Sequence, residues 1–128
     1  MTTMKPRRYL AACFASAALL AGGFAQAAPS ETTRAEVDHL LNKVGQSECR
    51  FNRNGSWHDA KAARAHLQKK RDYLVRKDLL KDTEAFIDHA ATRSSMSGKA
   101  YQMHCPGAAP VASGTWFSEE LKRYRAAR

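Results

Sequence analysis

The chain has 128 residues, with 21 Lys and Arg against 12 Asp and Glu, a formal charge of +9. That length holds one domain, which excludes barrels, multi-domain enzymes and long repeat arrays. The charge invites a nucleic-acid reading, whose weight depends on how much of it belongs to the folded part.

Residues 1–27 read as a cleavable signal peptide. Lys5, Arg7 and Arg8 form a charged start, and an apolar stretch runs from Leu10 to Phe24. Ala25-Gln26-Ala27 is the small-x-small pattern that signal peptidase accepts, which makes Ala28 the expected mature N-terminus. The alternative is an N-terminal membrane anchor, but the apolar stretch is short for one. Leu10-Ala11-Ala12-Cys13 is no lipoprotein box, because its apolar stretch follows the cysteine. Arg7-Arg8 lacks the rest of a twin-arginine motif. No later apolar run reaches membrane length.

Removing 27 residues leaves 101. Three basic and no acidic residues go with them, so 18 basic against 12 acidic leave +6. Cys13 also leaves, so Cys49 and Cys105 remain in a compartment that permits disulfides. An intramolecular bond between them closes a loop of 57 residues, counting both ends. Chain entropy values such a loop at roughly 4 kcal/mol. A metal-binding thiol pair and an intermolecular bridge are the alternatives.

Thr33-x-x-Glu36 has the form of a capping box after a short flexible start at residues 28–32. Val37, Leu40, Leu41 and Val44 then line one helix face, stopping near Gly45. Residues 49–53 alternate as a short strand. Asn54-Gly55 is a hairpin dipeptide, and Ser56-Trp57-His58 is the returning strand. Either Ser56-x-x-Asp59 or Asp59 alone caps the next helix, which carries Ala63, Leu67, Lys70 and Leu74 with Tyr73 beside them. Its charge is dense at Lys69-Lys70-Arg71 and Arg76-Lys77.

A third helix begins near Asp82, with Phe86, Ile87, Ala90 and Ala91 inward. Residues 94–98, Ser-Ser-Met-Ser-Gly, form a loop. Residues 101–105 form a strand, and 106–114, rich in Pro, Gly and Ala, a loop. Trp116, Phe117, Leu121 and Tyr124 mark a last helix. Glu119 and Glu120 stand early in it and Lys122, Arg123 and Arg125 late, as its dipole favours. The expected architecture is a single α+β domain over residues 28–128: four helices around a two- or three-stranded antiparallel sheet with one disulfide.

Two strings extend this reading. One is Cys49-x-Phe51-x-Arg53-Asn54-Gly55-x-x-His58, followed by Ala63-x-x-His66-Leu67-x-x-Lys70. The other is Phe86-Ile87-x-x-Ala90-x-x-Ser94-Ser95-x-Ser97-Gly98-x-x-Tyr101, with Cys105 after it. Together they resemble the YfeK-type family of small exported bacterial proteins, whose function is unknown. The resemblance implies a Gram-negative periplasmic protein and a disulfide that stabilises rather than reacts. It implies no reaction, cofactor or catalytic residue.

The candidate ligand-binding group is Arg53, Asn54, His58, His66, Lys70, Ser94, Ser95, Ser97 and Tyr101. His66 and Lys70 are four apart and share a helix face. If the Arg53-Asn54-Gly55 turn meets the Ser94–Gly98 loop, hydroxyls, backbone N–H groups and positive charge converge. That combination suits a carboxylate, a phosphate or an acidic glycan. The competing reading is purely structural: Asn54-Gly55 is only a turn, and the serines cap the third helix and bond their own loop.

Ser94, Ser95 or Ser97 with His58 or His66 and Asp59 contain the residue types of a triad. No Gly-x-Ser-x-Gly elbow supports one, so a small Ser/His hydrolase is the lesser expectation. None of His39, His58, His66, His89 and His104 forms a His-x-x-x-His pair, and no metal or other cofactor is expected. Export moves the partner of a +6 surface from nucleic acid to anionic envelope material, and association with anionic lipid surfaces stays open. A protein partner is the other binding expectation. Ser97-Gly98-x-x-Tyr101 is faintly similar to a loop of periplasmic lysozyme inhibitors, so inhibition of an envelope hydrolase is a further alternative.

Overall fold

The computed structural model describes residues 28–128, together with Thr3, Ala18 and Gly22. The expected signal peptide, residues 1–27, otherwise lies outside the described residues. Among the described residues, four helices pack around one four-stranded antiparallel sheet.

Helix α1 (Glu31–Gln46) is capped by Ser30, whose hydroxyl oxygen accepts the Thr33 N–H at 3.0 Å. The expected capping box is therefore corrected. Thr33 and Glu36 are both buried, and the helix begins inside the stretch read as a flexible start. Ser30 supplies the cap oxygen earlier, and Glu36 is held by distant partners instead. Val37, Leu40, Leu41 and Val44 are buried as their spacing predicts. The helix passes through Gly45 rather than ending there. Arg64 lies over that glycine, and a Cβ would come within 3.0 Å of its side chain.

Strand β1 (Arg50–Arg53) turns into β2 (Ser56–His58) through Asn54 and Gly55, with φ of 53° and 84°. Two consecutive positive φ angles are the type I′ geometry that matches strand twist. Asp59 alone caps α2 (Ala60–Arg76), its carboxylate accepting the Ala62 N–H at 2.8 Å. Ala63, Leu67 and Leu74 are buried, while Lys70, on the same stripe, is half-buried.

Asp82 caps α3 (Thr83–Phe86), which widens without a break into a π-helical turn, Ile87–Ala91. This turn buries Ile87, Ala90 and Ala91 and leaves Asp88 and His89 exposed. The Thr92 hydroxyl donates to the Ile87 carbonyl at 2.8 Å.

Strand β3 (Gln102–His104) pairs with β1, and β4 (Val111–Ala112) pairs with β3, giving the order β2-β1-β3-β4. The sheet thus has four strands, not two or three. The extra one falls in the segment read as a loop, where Val111 pairs with Met103 and Ala112 with Gln102. Its last residues belong to α4 (Ser113–Ala126), which starts without a break. Gly114 is required there, because a Cβ would sit 2.8 Å from the Thr92 hydroxyl oxygen.

Cys49 and Cys105 form a disulfide, with Cα atoms 4.0 Å apart. They flank the Arg50–His104 pair and tie β1 to β3 at one end of the sheet. One sheet face, with Phe51 and Met103, packs into the helical core, and the face carrying Arg50, Trp57, Gln102 and His104 is exposed. Helix α1 is central, packed on α2, α3 and α4.

The C-terminus is anchored by a buried carboxylate. Glu36 is 2% exposed and accepts both the Nε and Nη2 hydrogens of Arg125, at 2.7 and 3.0 Å. Arg128 and the Thr83 hydroxyl also donate to it, and Arg125 reaches Glu84. The Arg125 hydrogen bonds hold the Glu36 carboxyl down at about 2, against the desolvation that would raise it.

Candidate functional site

The Asn54-Gly55 turn and the serine loop are in contact. The Ser97 hydroxyl donates to Asn54 Oδ1 at 2.7 Å, and Asn54 Nδ2 donates to the Ser94 hydroxyl oxygen at 3.5 Å. Ser94 is buried, and its oxygen also accepts the N–H groups of Met96 and Ser97 at 3.3 and 3.2 Å. Asn54, Ser94 and Ser97 therefore form a clasp between the two segments. Part of the structural reading of the serines holds within it, because Ser94 does bond its own loop. The clasp fixes the turn that carries Arg53.

Arg53 projects from the end of β1 and meets His66 of α2, donating from Nη1 to Nδ1. This leaves the neutral imidazole's proton on Nε2, which is buried and has no hydrogen-bond partner among the described residues. Burial, reinforced by Arg53 and then Lys70, pushes His66 down to about 4. His66 is thus uncharged near neutrality.

One turn along α2, Lys70 donates from Nζ to the Tyr101 hydroxyl at 3.2 Å and to the Arg93 carbonyl at 3.4 Å. Its ammonium also stands 5.1 Å from the centre of the Tyr101 ring. Tyr101 is only 2% exposed, and burial raises its phenol above the ordinary value. Burial, then Arg53, lowers Lys70. Tyr101 therefore positions Lys70 and is not available to project into a partner.

A groove of about 490 Å³ opens beside these groups. Tyr73, Leu74 and Leu79 form an apolar wall, and His66, Lys69 and Lys70 form the basic side. Ser95 and His89, the latter from the π turn, close it. Arg53 lies behind His66, in a small cleft shared with His58. The nine predicted site residues thus divide by place. Arg53, His66, Lys70 and Tyr101 are one connected cluster, Ser95 lines the groove, His58 lines the rear cleft, and Asn54, Ser94 and Ser97 are the clasp.

Sequence reasoning missed Leu79 and His89 as groove residues and left Tyr73 without a role. The available signal was two large apolar side chains outside the buried stripe; Tyr73 is 49% exposed and Leu79 is 42% exposed. Among the described residues, no group of three His, Cys, Asp or Glu is placed to hold a metal ion, and no helix is long and apolar enough to cross a membrane.

A protein-family comparison matches residues 31–125 to DUF5329, a family of unknown function. The chain belongs to that family. The match covers every helix and strand described above except the final residue of α4. The motif resemblance and this match agree that the whole folded region belongs to a family of unknown function. No curated protein and no solved structure matches the chain.

Proposed function

We propose that this protein is an exported, non-enzymatic module that binds an anionic component of the bacterial envelope through Arg53, His66 and Lys70. The observation that carries the reading is the placement of two half-buried cations in one connected cluster around the neutral His66 and the buried Tyr101. Arg53 and Lys70 meet no carboxylate within 4 Å among the described residues. Arg53 meets a neutral imidazole and Lys70 a hydroxyl and a carbonyl instead, and the Arg53 charge acts on Lys70 across the cluster. Two like charges held partly out of water repel, and a bound anion relieves that repulsion.

Export is supported by the charged, apolar and small-x-small order of residues 1–27, and by a disulfide that needs an oxidising compartment. No observation favours the Ser/His hydrolase. His66 Nδ1 is occupied by Arg53, and Ser94 accepts from its own loop.

The test is calorimetric titration of the purified protein with inorganic phosphate, acetate and an acidic glycan, at low and high salt. Binding that weakens with salt and is lost in Arg53→Ala and Lys70→Gln supports the reading. Absence of binding, or binding indifferent to both substitutions, rejects it. Turnover of any compound in an unbiased substrate screen rejects the non-enzymatic part.

A further inference from the structure

We infer that the groove beside Lys70 takes an amphiphilic monocarboxylate, its head at Lys70 and its apolar body along Tyr73, Leu74 and Leu79. This rests on the anion reading above and narrows it to a ligand class. Two features of the groove lead there together, and neither suffices alone.

The first is charge complementarity. The fixed charges lining the groove at neutral pH are both positive, Lys69 and Lys70, while His66 beside them is uncharged. No Asp or Glu faces in. Asp88, outside the groove lining, holds one oxygen 3.2 Å from the Arg93 guanidinium and the other 4.0 Å from His89 Nδ1. The rest of the lining is largely apolar and exposed at Tyr73 and Leu79, so a wholly polar anion leaves those two uncovered. A ligand with both parts covers the wall and meets the cation, the usual composition of small-molecule sites of this volume.

The second is the number of donors. Lys70 has three N–H groups and spends two of them, on the Tyr101 hydroxyl and the Arg93 carbonyl. One remains. Lys69 is exposed and its charge is screened by solvent. A single negative charge matches one half-buried ammonium. The second charge of a phosphate monoester would stand against Tyr73 and Leu79 without a buried donor, which costs binding.

The experiment titrates the purified protein with acetate, octanoate and octyl phosphate. Octanoate is expected to bind at least about tenfold tighter than acetate, since burying two methylenes already supplies that factor. Leu79→Ser, at an exposed position, should bring octanoate down to the level of acetate and leave acetate unchanged. Lys70→Gln should weaken both. Equal affinity for acetate and octanoate overturns the inference and leaves the anion reading standing. Octyl phosphate binding more tightly than octanoate overturns the choice of carboxylate. Octanoate binding that survives Lys70→Gln unchanged shows adhesion to the apolar wall only and overturns the inference. Failure of all three ligands to bind overturns both the inference and the reading beneath it.

Discussion

Lys70 of α2 holds the hydroxyl of Tyr101, 31 residues later in the chain, at 3.2 Å, while its ammonium lies 5.1 Å from the same ring. One buried aromatic thus fixes a cation at the edge of an open groove. Tyr101→Phe keeps the ring and removes the hydroxyl. It should cost about 1 kcal/mol of stability in urea denaturation, the usual value of one such bond. It should also weaken anion binding without abolishing it, because the cation–ring contact survives. Loss of all binding would mean that the hydroxyl touches the ligand itself.

The disulfide sits where its contribution to stability is read directly. It joins the residues just beyond the paired ends of β1 and β3, so the strands remain paired by backbone bonds after reduction. Its effect then lies mainly in the unfolded chain. Cys49→Ser with Cys105→Ser should lower unfolding free energy by roughly 4 kcal/mol, with little change in the native circular dichroism spectrum. Anion binding should persist, since Arg53 and Lys70 are held by the clasp and by Tyr101. Mass spectrometry of the unreduced protein should show no free thiol at either position.

Glu36 is the residue whose loss should hurt most for its size. Glu36→Gln removes the charge that two guanidiniums share, both of which are exposed and stay solvated without it. The expected destabilisation is roughly 2 kcal/mol, the scale of losing charge-assisted hydrogen bonds when no buried charge is left stranded. Glu84→Gln should cost far less, because Glu84 is largely exposed and serves Arg125 as a second partner. Equal losses from the two would show that Glu36 is not the anchor.

The helices and the first hairpin were legible because local chemistry specifies them. Val37, Leu40, Leu41 and Val44 repeat at helical spacing, and Asn54-Gly55 tolerates the two positive φ angles. What escaped depended on distant partners. Thr33-x-x-Glu36 matched a capping pattern, but Arg125, 89 residues away, claims Glu36. Val111 and Ala112 lie among Pro, Gly and Ala residues, and only pairing with β3 makes them a strand. His66 and Lys70 were readable as one face from their spacing of four. The groove was not, because its apolar wall joins Leu79, beyond the end of α2, to Tyr73 across a turn that no periodic pattern covers.

Acid should destabilise the fold in two stages. Below about 6.5 the unfolded chain protonates its histidine while His66 in the fold resists until about 4, so stability falls as pH drops through that window. Glu36 acts in the next window. Its stabilisation is complete above about 4.5 and is lost as pH falls toward about 2. His66→Gln should flatten the first stage and leave the second, measured as melting temperature against pH. The same protonation has the opposite sign for binding. A proton on His66 adds positive charge beside Arg53 and Lys70, so an anion that keeps its charge, such as sulfate, should bind more tightly at pH 5 than at pH 7. By linkage, sulfate should raise the His66 pKa seen by NMR. A His66 titration unmoved by saturating sulfate would place the anion elsewhere and detach the imidazole from the site.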